Sequence, residues 1–412
     1  MLYSLKLHSI AYFVIASLCT HFLLNLFVDN RVKNEYPVLV WKSSIVPDRD
    51  RLIICYDKKY ECLITRNETK NNVSVFMFYG SHLDNNDFPL PRNGEIWALF
   101  HEESPRNYAP ILFREMQGLF NITATFSTNS DFPLTLQYLP NINSIIDKTY
   151  FKSTKEKNNF IKTKNIASVL FIQSDCDTPI ERDNFISKLM EYIKIDSYGA
   201  CLHNQDFSKE ISTIYPLDLY NPVFLEFISQ YKFIIAFENS ICEDYITEKL
   251  WRPLMVGSVP IYLGSPSVKA WLPNKKSAIL VDDFDSAKSL ADFIKVVNSN
   301  DTLYDLFLEH KLNGIIENDD LIDKFGFGLN NEHENAITAF ECFVCKKIHH
   351  GRYKVKEGSV FDCPYPKNSS WNGFWDAGRY QARALKILME KNVKFSNATY
   401  EKLWKKLFYK EN

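Results

Sequence analysis

The run from Tyr231 to Val268, YKFIIAFENSICEDYITEKLWRPLMVGSVPIYLGSPSV, constrains the fold more than any other stretch of this chain. Phe233 to Phe237 are apolar and read as a strand with both faces covered. Glu238, Asn239 and Ser240 follow at its carboxyl end, where open parallel sheets place their ligands. Asp244 is placed to cap a helix starting at Tyr245. A helix start offers free N–H groups and a positive dipole end, both suited to phosphate. Lys249, one turn in, adds a full charge, and Glu248 beside it can accept bonds from sugar hydroxyls. Val259 to Leu263 then reads as a second buried strand. From chemistry alone, an ordinary strand, loop and helix with a solvated charged face fits the same pattern.

The flanking sequence supports two α/β units. Residues 29–50 are polar with little pattern and read as a stem. From 51 to 151, apolar runs (Leu52–Ile54, Val73–Phe78, Glu95–Phe100, Ala124–Phe126) alternate with polar stretches that can hold helices. The Lys- and Asn-rich stretch 152–165 reads as a linker. A second unit, 166–340, opens at Ser168–Ile172 and continues through a helical period at Asp183–Ile193 and the run described above. Its strand–helix alternation argues for a parallel sheet covered on both sides. The remainder, 341–412, holds a CxxC and a closing helix at Trp375–Lys391 that packs rather than catalyses.

At 412 residues and 46% hydrophobic, the chain can bury two cores, and its net charge of −2 gives a nucleic-acid partner no electrostatic support. Ile10 to Val28 is long enough to cross a bilayer, and we read it as an uncleaved signal anchor behind a short tail, 1–9. The expected topology is single-pass type II, with the bulk of the chain in the lumen of the endoplasmic reticulum or Golgi. Six N-x-S/T sequons (Asn67, Asn72, Asn121, Asn300, Asn368, Asn397) agree with that compartment. Of nine cysteines, Cys19 lies in the apolar run, and the other eight can form four disulfides. Cys342 and Cys345, followed by His349 and His350, also admit a zinc reading, although no second CxxC exists.

FENSxxxDYxTEK followed by GSVPIYLGSPSV resembles the donor-binding signature of the alpha-1,3-fucosyltransferase family, glycosyltransferase family 10. HEESPRNYAPILF and GLFNITATFSTNSDFPLTLQYLP resemble one branch of it. Its members are called alpha-1,3-fucosyltransferases ten and eleven, and also protein O-fucosyltransferases three and four acting on Ser/Thr of cysteine-rich EMI modules. The resemblance implies a GT-B-like fold, two Rossmann-like domains facing a cleft. It implies inverting transfer of L-fucose from GDP-β-L-fucose to a protein or glycan hydroxyl. A fucose on GlcNAc of N-glycans or lactosamine is the alternative acceptor, and a non-catalytic glycan-binding or quality-control protein is the alternative class.

The resemblance also assigns residues. Glu103 of Glu-Ser-Pro is the general base, with Glu102 second. Arg182 and Lys249 are the cations at the diphosphate, and Arg can bind phosphate with two parallel bonds. Asn239, Tyr245 and Glu248 complete the donor site. No cofactor or metal is expected, because protein cations replace the ion. Three Asp-x-Asp pairs (Asp48/Asp50, Asp175/Asp177, Asp283/Asp285) are what an Asp-rich chain supplies by chance. The family pattern pairs Cys55 with Cys342 and Cys62 with Cys345. Among the four remaining cysteines, Cys201–Cys242 is the expected pair.

Overall fold

The computed structural model describes residues 36–411 except 57, 71, 135–137, 328–334, 352–359, 361, 367 and 368. The expected tail, the span 10–28 and the sequon Asn368 lie outside the described residues. Among those described, no helix is long and apolar enough to cross a membrane.

Among the described residues there are two sheets. The first holds β1 (Val38–Trp41), β2 (Arg51–Cys55), β3 (Tyr60–Thr65), β4 (Val73–Tyr79), β5 (Ile96–His101), β6 (Ile122–Thr125) and β7 (Phe132–Pro133) in the order β2-β3-β1-β4-β5-β6-β7. All its pairings are parallel except the β2–β3 hairpin. The second holds β8 (Val169–Ile172), β9 (Ile195–Tyr198), β10 (Phe233–Phe237), β11 (Val259–Leu263) and β12 (Ile279–Leu280) in the order β12-β11-β10-β8-β9, all parallel. The direction of winding therefore reverses between β8 and β10. Such a reversal opens a crevice at the strands' carboxyl ends.

The helices used below are α1 (Thr154–Lys164), α2 (Arg182–Met190), α3 (Glu248–Val256), α4 (Ala287–Ser299), α5 (Ala336–His350), α6 (Asn372–Glu390) and α7 (Asn397–Glu411). In the second lobe, Phe233, Ile235 and Phe237 share a core with Ile186 and Leu189 of α2 and Leu290 and Ile294 of α4. Ala236, on the opposite face, packs with Leu250, Trp251 and Leu254 of α3. Strand side chains alternate between faces, so a strand buried on both must be apolar throughout.

The first sheet is closed by the end of the chain. Val38, Val40, Phe78 and Leu99 pack against Ala382, Leu385 and Leu388 of α6. Leu39, Trp41, Val75 and Met77 on the other face pack against Phe340 and Val344 of α5. Cys342 and Cys345 stand one helical turn apart on α5 and bind Cys55 of β2 and Cys62 of β3.

Several expectations need correction. The stem read over 29–50 contains β1, a central strand with all four residues buried. Its VLVW run is too short to stand out beside the polar residues around it. The linker 152–165 is mostly helix α1, opened by a capping box of Ser153 and Glu156. What holds it is a buried amine: Lys157 is fully buried and its Nζ donates to the carbonyls of Ser229 and Tyr231 and to Oγ of Ser258. The remaining disulfides are Cys176–Cys201 and Cys242–Cys363, not Cys201–Cys242. Cys201 lies in the second lobe's core, whereas Cys242 faces the core closed by α6. Asn67, Asn72, Asn300 and Asn397 are exposed, while Asn121 is half-buried and its Oδ1 accepts from the Trp97 N–H at 3.0 Å.

Candidate active site

The site forms where the carboxyl end of β5 in one lobe faces the β8/β10 crevice of the other. Glu238 directly follows β10 and is fully buried. Its carboxylate accepts from the Thr247 N–H and the Thr247 hydroxyl, both at 2.8 Å, and its Oε2 lies 3.7 Å from Nζ of Lys249. Gly264 permits this close packing, because a Cβ there would stand 2.6 Å from Cγ of Glu238.

The helix after β10 starts later than its sequence implied. α3 begins at Glu248, capped by Thr247, whose hydroxyl accepts from the Lys249 N–H at 3.3 Å. Asp244 is not a cap. It sits at φ 63°, and its carboxylate accepts from the Thr128 N–H (3.0 Å) and hydroxyl (2.6 Å), from the Ser267 hydroxyl (3.1 Å) and from the Trp271 indole (3.3 Å). Thr128 belongs to the first lobe, so Asp244 fastens the two lobes together. Thr247 directly before Glu-Lys was the legible capping signal.

The charges near the start of α3 form one cluster. Nζ of Lys249 lies 3.2 Å from Glu248 Oε1 and 3.1 Å from the Thr247 hydroxyl, and Arg252 Nη2 lies 3.6 Å from the same Glu248 oxygen. Burial alone would raise the Glu248 pKa, but Lys249 and Arg252 hold it down at about 2. Burial would lower that of Lys249, yet Glu248 and Glu238 raise it, so the lysine stays charged. For Glu238 burial dominates and its pKa is raised.

Arg182 opens α2 on the other rim of the crevice, with 1% of its surface exposed. Nη1 donates to the Phe237 carbonyl at 2.9 Å and Nη2 to the Asp175 carbonyl at 2.8 Å, while Nε is enclosed with no protein acceptor. Each of its two terminal nitrogens thus already serves a carbonyl. The carboxamide oxygen of Asn239 is likewise enclosed without a protein donor. Tyr245, 1% exposed, packs edge-on against Phe126 of the first lobe with ring centroids 5.0 Å apart.

The first lobe contributes two carboxylates. Glu103 Oε2 accepts from the Tyr245 hydroxyl at 3.2 Å, which brings Glu103 and the loop after β10 together across the cleft. Glu102 points its Oε1 at the Tyr79 hydroxyl, 2.7 Å away, and burial raises its pKa, with Glu103's charge adding to the effect. Sequence reasoning missed Tyr138, whose phenol is raised far above its usual range by burial and then by Glu103, Glu248, Glu102 and Glu238. No local pattern marks it, because the cluster around it comes from both lobes.

The zinc reading fails on chemistry. Cys62, Cys345 and His349 lie within metal-ligating distance of one another, but both sulfurs are spent in a disulfide. His349 bonds the Glu61 carbonyl at 3.0 Å and His350 the Tyr60 hydroxyl at 2.8 Å.

The sequence is similar to proteins already known. Residues 161–360 match the model of the glycosyltransferase family 10 (fucosyltransferase) C-terminal region, and residues 33–138 match that of the fucosyltransferase N-terminal region. GDP-fucose protein O-fucosyltransferase 3 of Xenopus tropicalis is 38% identical over 400 residues, covering 89% of this chain and 84% of that protein. The Homo sapiens protein of the same name is 37% identical over 401 residues, covering 89% and 82%. Among solved structures, an alpha1,3-fucosyltransferase with GDP aligns at TM-score 0.45 and 18% identity, over 81% of this chain and 95% of that one. On the strength of the family models and of relatives matched along most of its length, this chain belongs to the fucosyltransferases of glycosyltransferase family 10.

Proposed function

We propose that this chain transfers L-fucose from GDP-β-L-fucose to a Ser or Thr hydroxyl of a cysteine-rich, EMI-type protein module, with inversion at the sugar. The observation that carries the reading is the Glu103–Tyr245 contact, which sets a carboxylate of one lobe against the donor loop of the other. The relatives named as protein O-fucosyltransferases support the protein acceptor.

In the step itself, the acceptor oxygen attacks C1 of fucose as the bond from C1 to the phosphate oxygen breaks. GDP leaves with that electron pair, and the acceptor proton passes to Glu103. Fixed cations in a dry site stabilise developing charge far better than in water. Lys249 and Arg182 supply that charge. For Arg182 it acts mainly through its field, since its terminal nitrogens hold the Phe237 and Asp175 carbonyls. Glu248, kept ionised by Lys249 and Arg252, accepts from ribose hydroxyls. Asn239 has a free oxygen for a donor hydroxyl, and Tyr245, near the fucose and phosphate, holds Glu103 through its hydroxyl. No metal enters the scheme, because protein cations fill its role.

Four disulfides suit an oxidising lumen, and we assign the enzyme to the secretory pathway with the segment 10–28 as its membrane anchor. The test is incubation of the full chain with GDP-fucose and a panel of folded EMI modules and N-glycans, followed by product mass. A deoxyhexose added to Ser or Thr is the expected result. Fucose found only on GlcNAc would move the acceptor to glycans, and no product with any acceptor would refute transfer.

A further inference from the structure

The turn that presents Glu103 also crosses the cleft. Asn107 N–H bonds the Ser104 carbonyl at 3.2 Å and Tyr108 N–H the Pro105 carbonyl at 3.1 Å, so Glu103 and Arg106 ride on one compact turn. Arg106 Nη2 donates to Oδ1 of Asp175 at 2.7 Å and to the Asp177 carbonyl at 2.9 Å, and its Nε reaches the same carbonyl at 3.2 Å. The guanidinium carbon lies 5.3 Å from the ring centroid of Trp371, whose indole N–H donates to Oδ1 of Asp177 at 2.7 Å. Between the two aspartates, Cys176 is bound to Cys201. The Asp175 carbonyl in turn accepts from Arg182 at 2.8 Å. One short loop is therefore gripped by Arg106 from the first lobe and itself grips the cation beside the donor.

The geometry points to Arg106 as a positioning residue that sets the distance between the base Glu103 and the cation Arg182. The inference rests on the fucosyl-transfer reading. Ion pairs this exposed contribute little to stability, and the Arg106 and Asp175 side chains retain 23% and 40% of their surface. What the contact supplies is geometry, to which catalysis is far more sensitive than folding is. A planar fork serving two acceptors while lying over an indole also explains why a lysine would not substitute.

The test uses the full chain with R106A, R106K, D175N and the double variant R106A/D175N. R106A should lower kcat for transfer by about tenfold or more, while the Kd for GDP stays within about threefold, because Lys249 and Arg182 remain. R106K should not restore kcat, and the double variant should be no worse than R106A. Amide hydrogen exchange should accelerate at 103–108 and 174–181 in R106A and nowhere else. Parent-like kcat in R106A, full rescue by R106K, or unchanged exchange in those two segments would each overturn the proposal. A parent chain that turns over no GDP-fucose sinks the transfer reading instead, and the exchange measurement then judges the Arg106 contact alone.

Discussion

The hydroxyl of Tyr245 donates to Oε2 of Glu103 across 3.2 Å, and the two residues belong to different lobes. E103Q should therefore keep the fold and GDP affinity but lose transfer by about 10²–10⁴-fold, the usual worth of a positioned base. Y245F should retain part of that rate, since the carboxylate survives without its donor. The kcat of both variants beside GDP calorimetry checks this, and near-normal turnover in E103Q removes Glu103 from the mechanism.

Glu248 gives acid stability a specific slope. Its pKa in the folded chain is about 2, below the roughly 4.3 of an unfolded glutamate. A depressed carboxyl stabilises the fold fully above the unfolded value, and the contribution disappears as pH falls from about 4 toward 2. On the order of 3 kcal/mol should be lost across that window. Urea unfolding at stepped pH should show the slope in the parent and a flatter acid limb in E248Q.

Removing Glu238 leaves both Thr247 donors without their buried acceptor, while Lys249 keeps Glu248. E238A should cost about 2–6 kcal/mol, about 1–3 for each buried donor left unsatisfied. T247A, which removes a cap and one hydroxyl bond, should cost about 0.5–2 kcal/mol. Chemical denaturation gives both values, and a larger loss in T247A would contradict this ranking.

Non-reducing peptide mapping should recover Cys176 with Cys201 and Cys242 with Cys363, and no Cys201–Cys242 species. C345S, which opens a loop spanning 283 residues, should lose about 2–5 kcal/mol. Thermal melts of the two proteins would measure it.

EDTA should leave fucosyl transfer unchanged, because the proposed mechanism assigns the diphosphate charge to Arg182 and Lys249. Activity abolished by the chelator and restored by Mn²⁺ would reverse the assignment.

Much of the second lobe was legible because its strands are buried on both faces. Phe233–Phe237 and Val259–Leu263 are found as strands over the same residues the apolar runs marked. Strand β1 and helix α1 were not legible, since one is four residues long and the other is anchored by a buried lysine rather than an apolar stripe. Start signals compete locally, and Asp244 outranked Thr247 on residue type alone. Only the distant partners Thr128 and Trp271 show that its carboxylate is spent elsewhere. The same holds for Arg106, whose partners come from the opposite lobe, and for Tyr138, whose charged neighbours come from both.

Because α5 and α6 cover the two faces of the first sheet, that sheet cannot finish its core until the ribosome has made nearly the whole chain. Nascent β-strands must wait, with greasy surfaces uncovered, for partners synthesised hundreds of codons later. Premature stops before residue 336 should therefore yield an aggregating, chaperone-bound fragment rather than a smaller working enzyme.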